Sequence, residues 1–160
     1  PFNNEGGENP YTIHAELQQT MNDLVGIIRN GQELAQALQR LESFKARVHN
    51  VKVSGGRAFN PGWHLALDLP NLLLVSECLA KSALIREESR GGHTRDDFPG
   101  MDPQWRQVNL VCRTEGDTVH VDKQAIPVIP TELLGLFDIS ELQKYFTSGE
   151  LSGVAQGGAQ

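Results

Sequence analysis

Three asparagines, each standing just before an apolar run of helical spacing, constrain the fold of this sequence more than any other feature. Asn9 and Asn60 are each followed by a proline, which suits the first turn of a helix because the missing N–H has no partner there. Asn30 stands three residues before Glu33, as in a capping box. The apolar residues behind each asparagine recur every three or four positions, which is typical of an amphipathic helix. The sequence therefore predicts a helix after each of the three.

The predicted helices pack through leucine-rich stripes. The first should run from residue 10 to Arg29, and Gly31 favours two antiparallel helices over one long helix with a weakened middle. Pro70 should break or kink the third helix before its longer part, Leu72–Arg90. Three such stripes can bury one another as a bundle. The expected core leucines are Leu17, Leu24, Leu38, Leu41, Leu72 and Leu79, and the expected inward face of the third helix is Leu72, Val75, Leu79, Ala83 and Arg86.

Past the third helix the apolar spacing changes to that of strands. Val108–Cys112 and Val119–Val121 flank a turn at Gly116, which indicates a β-hairpin. Two short helices should follow between residues 131 and 146, the second opened by a capping box at Asp138. The fold class is therefore mainly α: an up-down three-helix bundle followed by a small β-hairpin and short C-terminal helices.

The same signals divide the chain into four parts. Glycine and serine dominate the last part, and nothing in the first predicts a regular element. The expected parts are a flexible N-terminal segment at 1–9, a helical bundle domain at 10–99, a hairpin with short helices packed on the bundle at 100–147, and a disordered tail at 148–160.

Charge and hydropathy exclude several classes of partner. The net charge is −6 and the pI is near 5.3, which argues against nucleic acid or an anionic membrane surface, since phosphate-rich surfaces need clustered cations. No run approaches the ~20 apolar residues of a membrane span, so direct membrane insertion is not expected. Cys78 and Cys112 are too few for a disulfide framework, and we expect buried, reduced thiols in a cytosolic protein. Glu77 and Lys81 are expected to form an ordinary surface pair.

No catalytic, cofactor or metal motif stands out. The glycine doublets lack the spaced Gly-x-Gly-x-x-Gly between a strand and a helix that lets a backbone approach a pyrophosphate. The histidines are dispersed, without the paired spacing of a metal site. The chain alone is therefore expected to be inactive and to hold neither a flavin nor a metal. The histidines are His14, His49, His64, His93 and His120.

The densest charged stretch of the sequence is Arg86–Pro99. It resembles a signature of the flavoprotein subunits of succinate dehydrogenase and fumarate reductase, of the type Arg-x-Glu-Ser-Arg-Gly-small-His-x-Arg-x-Asp-x-Pro. The resemblance extends over about residues 10 to 114. The residues that match the signature in order are Arg86, Glu88, Ser89, Arg90, Gly91, Gly92, His93, Arg95, Asp97 and Pro99.

The resemblance implies a parent enzyme larger than this chain. Such enzymes oxidise succinate to fumarate, or run the reverse, with a covalently attached FAD, and they pass electrons to an iron–sulfur subunit, then to a quinone. The chain is similar to the C-terminal helical domain alone, which in that family packs on the flavin-binding domain of the same polypeptide and contributes to assembly of the subunits. The implied location is cytoplasmic, with the parent complex peripheral to the inner face of the cell membrane.

Two alternatives remain at the level of sequence. Aspartate oxidase shares the shorter pattern Ser-Arg-Gly-x-His-x-x-x-Asp-x-Pro, so the chain could be the matching domain of an aspartate-oxidase-like flavoenzyme. It could also be a free-standing helical interaction module. Arg86 and Arg95, with the long segment after Pro99, favour the succinate and fumarate branch.

The arginines of the signature suggest a docking role. Arg86 and Arg90, four residues apart on one helix face, repel each other unless carboxylates lie opposite. Acidic residues of the same stretch could pair with them, or they could dock the helix end onto another domain or subunit through bidentate contacts. The resemblance favours docking with some internal pairing. We expect His93 to be structural, following a helix whose left-handed cap is Gly91 or Gly92. The docking candidates are Arg86, Arg90, His93, Arg95 and Asp97.

Overall fold

The computed structural model describes residues 1–151, and three long helices form its centre. They pack on one another, the second and third most extensively. The expected mainly α fold with a helix bundle is confirmed. The helices are α1 (Pro10–Leu24), α2 (Gly31–Val48) and α3 (Pro61–Ile85).

Each long helix begins at the asparagine that the sequence indicated. The side-chain oxygen of each asparagine accepts a hydrogen bond from a backbone N–H of the first turn, which satisfies a donor that the helix itself leaves free. The pairs are Asn9 with Tyr11 at 2.9 Å, Asn30 with Glu33 at 2.9 Å, and Asn60 with Trp63 at 3.1 Å.

Shorter elements follow or connect the helices. The first two short strands pair in parallel, and the last two form a separate two-stranded sheet. The second sheet is the predicted hairpin, and its turn places Gly116 at φ +59, a left-handed conformation that glycine adopts without strain. These elements are β1 (Ile28–Arg29), β2 (Thr94–Arg95), α4 (Pro103–Arg106), β3 (Val108–Glu115), β4 (Thr118–Ala125), α5 (Thr131–Leu134), α6 (Ile139–Leu142) and α7 (Ser148–Leu151).

The chain divides into two compact units. The first holds residues 1–101 and 110–122, and the second holds, among the described residues, 102–109 and 123–151. This division differs from the expected boundary near residue 100 because the tip of the hairpin belongs with the bundle. The Nζ of Lys81 on α3 donates to the carbonyl oxygen of Val119 on β4 at 2.9 Å.

α1 is shorter than expected. It ends at Leu24, and the chain then turns into β1, which pairs with β2. Arg29, expected inside the helix, lies in that strand, and its Nε donates to the carbonyl oxygens of Val25 and Gly26 at 3.0 and 2.7 Å. The side chain thus satisfies acceptors that the helix end exposes.

α3 runs without a break through Pro70, contrary to the expected interruption. Pro70 is exposed, while Leu69 and Leu73 on either side are 0% and 2% exposed. Packing of these leucines outweighs the hydrogen bond that proline removes. The helix ends at Ile85 and not at Arg90.

The buried face of α3 agrees with the expected one only at Ala83, which is 4% exposed. Leu72, Val75 and Leu79 are 38%, 66% and 46% exposed. Because α3 is apolar on nearly every side, helical spacing fits more than one face, and spacing alone selected the wrong one. The buried residues of α3 are Leu69, Leu73, Ser76, Glu77, Ala80 and Ala83. Elsewhere Leu17, Leu24 and Leu41 are buried as expected, and Leu38 is partly buried.

Glu77 is the charged residue of that buried face. It is 4% exposed, and the Nζ atoms of Lys45 and Lys81 each lie 2.6 Å from one of its carboxylate oxygens. Burial raises the pKa of Glu77, but the two lysines outweigh that effect and lower it. The expectation of an ordinary surface pair is wrong, because Glu77 joins α2 to α3 from inside the bundle.

The second unit has its own contacts. Trp105 and Leu142 are buried, and the guanidinium of Arg106 lies over the Phe146 ring at 4.1 Å. Asp138 stands at the start of α6, but its side chain makes no capping hydrogen bond, so the predicted capping box does not form.

The segments expected to be loose make specific contacts. The N–H of Val53 donates to the carbonyl oxygen of Pro1 at 3.2 Å, and the ring of Phe2 meets Trp63 edge-on at 5.7 Å. At the other end, the expected tail begins with α7, whose Leu151 is buried. The rest of that tail, residues 152–160, lies outside the described residues.

Candidate docking site at the end of α3

Arg95 closes the C-terminal end of α3 from inside the protein. Its side chain is 2% exposed, and its Nη1 donates to the carbonyl oxygens of Ala83, Leu84 and Arg86 at 2.8, 2.9 and 3.2 Å. The last carbonyls of a helix have no partner within it, and the negative end of the helix dipole favours a cation. The guanidinium carries enough donors to satisfy several of them at once. Arg95 is therefore the C-terminal cap of α3.

Asp97 takes the remaining donors of Arg95. Nε donates to Oδ1 at 2.7 Å and Nη2 to Oδ2 at 2.8 Å, the two-bond geometry that arginine and carboxylate favour. Oδ2 also accepts the N–H of Gly31, the first residue of α2, at 2.8 Å. The hydrogen bonds from Arg95 and Gly31 hold the pKa of Asp97 well below its usual range. The pair thus fastens the end of α3 to the start of α2.

Glu88 lies between the two arginines that were expected to repel each other. Its side chain is fully buried, and the Nε and Nη2 of Arg90 each donate to Oε2, at 3.1 and 3.0 Å. Arg86 donates to Oε1 from the other side. Because α3 has ended, Arg86 and Arg90 do not share a helix face. They converge on one carboxylate, and their side chains remain 19% and 22% exposed.

His93 joins this network in its neutral form. Its Nδ1 lies 2.8 Å from the Nη1 of Arg29, and its Nε2 lies 3.1 Å from the carbonyl oxygen of Arg86. A guanidinium only donates, so Nδ1 accepts and Nε2–H donates to the carbonyl. Burial lowers the pKa of His93, and the charges of Arg29, Arg95 and Arg86 add to the effect, although the bond to the carbonyl opposes it. The expected structural role fits this arrangement.

Ser89 and a glycine turn shape the segment around these side chains. The Ser89 hydroxyl accepts the N–H of Arg95 at 2.8 Å and donates to the carbonyl oxygen of Phe98 at 2.8 Å. Gly91, at φ +59, lies in the tight turn that joins Arg90 to His93. It does not cap α3, contrary to expectation, because the helix ends six residues earlier in the chain, at Ile85.

All five docking candidates therefore meet in one cluster. Within it Arg95 faces inward, whereas Arg86, Arg90 and Asp97 keep an exposed edge. Sequence reasoning missed the contribution of Arg29, which sits 64 residues before His93 and meets it only through the pairing of β1 with β2. A positive residue in the last turn of the predicted first helix was the one available signal.

An apolar stripe lies on α3, the helix that ends at this cluster. The stripe consists of Leu72, Val75 and Leu79, which share one side of the helix at three- and four-residue spacing and are all exposed. A row of aliphatic side chains in water is a feature of interaction surfaces.

The described residues offer little for a cofactor or metal. Residues 1–151 contain no cluster of three potential metal ligands, and none of their helices is long and apolar enough to cross a membrane. A cavity of about 350 Å³ opens between the starts of α1 and α3, lined by loop residues such as Lys52 and Ser54. Its lining includes no strand–glycine loop–helix unit of the kind that holds a dinucleotide pyrophosphate.

The family model described as "Fumarate reductase flavoprotein C-term" matches residues 14–143. The chain belongs to this family. It is the C-terminal helical domain of a succinate dehydrogenase or fumarate reductase flavoprotein subunit, as the motif at the end of α3 indicated.

Relatives of the family agree in sequence and in structure. The fumarate reductase flavoprotein subunit of Helicobacter pylori strain J99 is 32% identical over 136 residues, which are 82% of this chain and 19% of the relative. The fumarate reductase flavoprotein subunit of Mycobacterium tuberculosis strain H37Rv is 32% identical over 114 residues, covering 71% and 20%. A chain of the Mycobacterium smegmatis Sdh1 complex in the apo form superposes with a TM-score of 0.85 at 56% identity, covering 95% of this chain and 27% of that one. The chain thus spans about a fifth of the curated relatives' length.

Proposed function

We propose that this domain has a structural and assembly role in a flavoprotein that interconverts succinate and fumarate, and performs no catalysis itself. The parent protein carries the FAD in a separate flavin-binding domain and passes electrons to an iron–sulfur subunit. The complex lies at the inner face of the cell membrane, on the cytoplasmic side. The names of the relatives support the reaction class, since they are fumarate reductases and succinate dehydrogenases.

The α3 stripe carries the proposal. Its residues have the spacing of a buried helix face, yet they are exposed in this chain. About four-fifths of the length of the relatives lies outside the part that matches this chain. An aliphatic surface without charges is typical of permanent interfaces, which resemble a domain core cut in half. The occupant of the stripe is therefore the remaining part of the same flavoprotein, the flavin-binding domain.

The charged cluster is the second element of the proposed interface. The side chains of Arg86 and Arg90 are 19% and 22% exposed, and their positive charge at the surface would orient the docked domain. Arg95 acts indirectly, by holding the end of α3 in place. The internal pairing with Glu88 supports a cluster that is rigid before docking, which lowers the entropic cost of association.

A matched pair of substitutions tests the interface. In the full-length flavoprotein, Val75→Glu places a charge in the α3 stripe, and Gln39→Glu places the same charge on an exposed site of α2. We expect Val75→Glu to reduce the yield of assembled, flavin-containing protein and Gln39→Glu to leave it unchanged. Both should leave the melting temperature of the 160-residue chain near that of the wild type. Normal assembly of Val75→Glu would contradict the docking role of the stripe.

The proposed absence of catalysis has its own test. The purified chain should be colourless and should not oxidise succinate with an artificial electron acceptor. A yellow protein with bound flavin, or turnover of succinate, would contradict this part of the proposal and leave the family membership intact.

A further inference from the structure

The two cysteines, separated by 34 residues in sequence, lie side by side in the first unit. Cys78 is on α3 and Cys112 is on β3, and the Sγ of Cys112 lies 3.8 Å from the backbone carbonyl oxygen of Cys78. Both are free and partly exposed. The Oγ of Ser82, one turn after Cys78, lies 3.3 Å from the Sγ of Cys112. The strand thus places the Cys112 thiol against the turn of α3 that carries Cys78, and both residues are partly exposed.

Neighbouring groups hold the two segments together and keep the Cys78 thiol protonated. The bond from Lys81 to the carbonyl oxygen of Val119 ties the hairpin to α3 beside the pair. Burial raises the pKa of the Cys78 thiol, and Cys112 and the nearby Glu77 raise it further, while Lys81 opposes them. Such a pair stays reduced at neutral pH unless an oxidant is supplied, because the thiolate is the reactive form.

We propose that Cys78 and Cys112 form a reversible disulfide site whose oxidant is a small-molecule disulfide. One cysteine, as thiolate, attacks a sulfur of the oxidant, which forms a mixed disulfide and releases one small thiol. The second cysteine loses its proton and attacks the protein sulfur of the mixed disulfide, which releases the second small thiol. Two electrons pass from the two cysteines to the oxidant, which is reduced to two thiols. The product fastens β3 to α3 covalently.

The structure favours this closure over two separate mixed disulfides. The Cys112 thiol already lies against the backbone of Cys78, so the second attack is intramolecular. The new bond also closes the loop between residues 78 and 112, which restricts the unfolded chain and raises stability. This inference does not depend on the proposed assembly role.

Glutathione disulfide is a suitable probe. The 160-residue chain is incubated with it at about pH 8.5, the pKa of a free thiol, then treated with N-ethylmaleimide and measured by intact mass. We expect the loss of two hydrogens, no added maleimide, and a peptide that links Cys78 to Cys112. The melting temperature should rise, and dithiothreitol should reverse both changes.

The matched variants are Cys78→Ser and Cys112→Ser. Each should gain one glutathione on the remaining cysteine, and neither should show the rise in melting temperature. Wild-type chain that gains two glutathiones, remains fully alkylated by maleimide, or forms disulfide-linked dimers on a non-reducing gel would overturn the proposal. Chain denatured in guanidinium before oxidation serves as a control for the folded geometry, and it should cross-link more slowly.

Discussion

Arg95 lies inside the protein, and the carboxylate of Asp97 that it binds at 2.7 and 2.8 Å reaches the surface. Arg95→Ala would leave both that carboxylate and the last carbonyls of α3 without their donor. A carbonyl left buried without its donor costs about 1–3 kcal/mol of unfolding free energy, and we expect a loss of at least that order in urea denaturation. Arg95→Lys should not restore it, because an ammonium lacks the planar fork. Arg113→Ala, which removes an exposed pair with Asp122, should have no measurable effect.

The Arg90→Ala variant distinguishes a stabilising role within this chain from a role only at an interface with another domain. Because it shares the buried Glu88 with Arg86, Arg90→Ala should destabilise the 160-residue chain itself by about 1–3 kcal/mol, the usual cost of a weakened buried hydrogen-bonding group. Chemical denaturation of the isolated chain measures it. A variant as stable as the wild type, with defects only in the parent complex, would show that Arg90 acts across an interface alone.

Leu73 and Leu79 test which face of α3 is inside. Leu73→Ala should cost about 2–5 kcal/mol, since its side chain is 2% exposed and its loss leaves a cavity. Leu79→Ala should change the unfolding free energy by less than about 0.5 kcal/mol, because the side chain is 46% exposed. Urea midpoints of the two variants give the comparison. Equal losses would mean that α3 is rotated relative to the present structure.

His93 should make the stability depend on pH. Its pKa is lowered in the folded protein, so below about pH 6.5, the usual value for histidine, the unfolded chain binds a proton that the folded chain lacks. Stability is therefore lost as the pH falls from that value towards the folded pKa. Melting temperatures between neutral and mildly acidic pH should fall less steeply for His93→Gln than for the wild type. His49→Gln, at an exposed position, is the matched control and should retain the wild-type slope.

Glu77 provides a prediction for the bundle interior. Glu77→Ala leaves Lys45 and Lys81 close together without their shared carboxylate, so we expect a loss of about 3–5 kcal/mol, as for other broken buried pairs. Glu42→Ala removes the exposed partner of Lys45 and should have a far smaller effect. Thermal melts of both variants show whether the buried Glu77 or the exposed pair of Lys45 with Glu42 contributes more to stability.

Features that depend on neighbouring residues were predictable from the sequence. Asn9, Asn30 and Asn60 cap the helices that follow them, because a cap needs only a side chain and the next turn. The hairpin around Gly116 is local in the same way. The order of the helices and strands could therefore be predicted without knowledge of the tertiary structure.

Features that depend on distant residues were not predictable. Leu79 and Leu73 have similar sequence surroundings, and only α1 and α2 determine which one turns inward. Pro70 stays inside a helix because its neighbours are buried. The sequence indicated that Glu77 forms a surface pair, because its contact with Lys45 on another helix cannot be read from its neighbours in sequence. The motif located the charged cluster, and bonds such as those from Arg95 to Asp97 lie within it, but the bonds to Arg29 and Gly31 span 64 and 66 residues.

The bond between Gly31 and Asp97 spans 66 residues. A growing polypeptide on the ribosome completes α1 and α2 well before Asp97 emerges from the exit tunnel. The start of α2 and the end of α3 therefore receive their fastening only after the whole bundle has been synthesised. Nascent chains stalled while Asp97 is still inside the tunnel should remain sensitive to protease at the α1–α2 connection, and chains stalled after Asp97 has emerged should become resistant there.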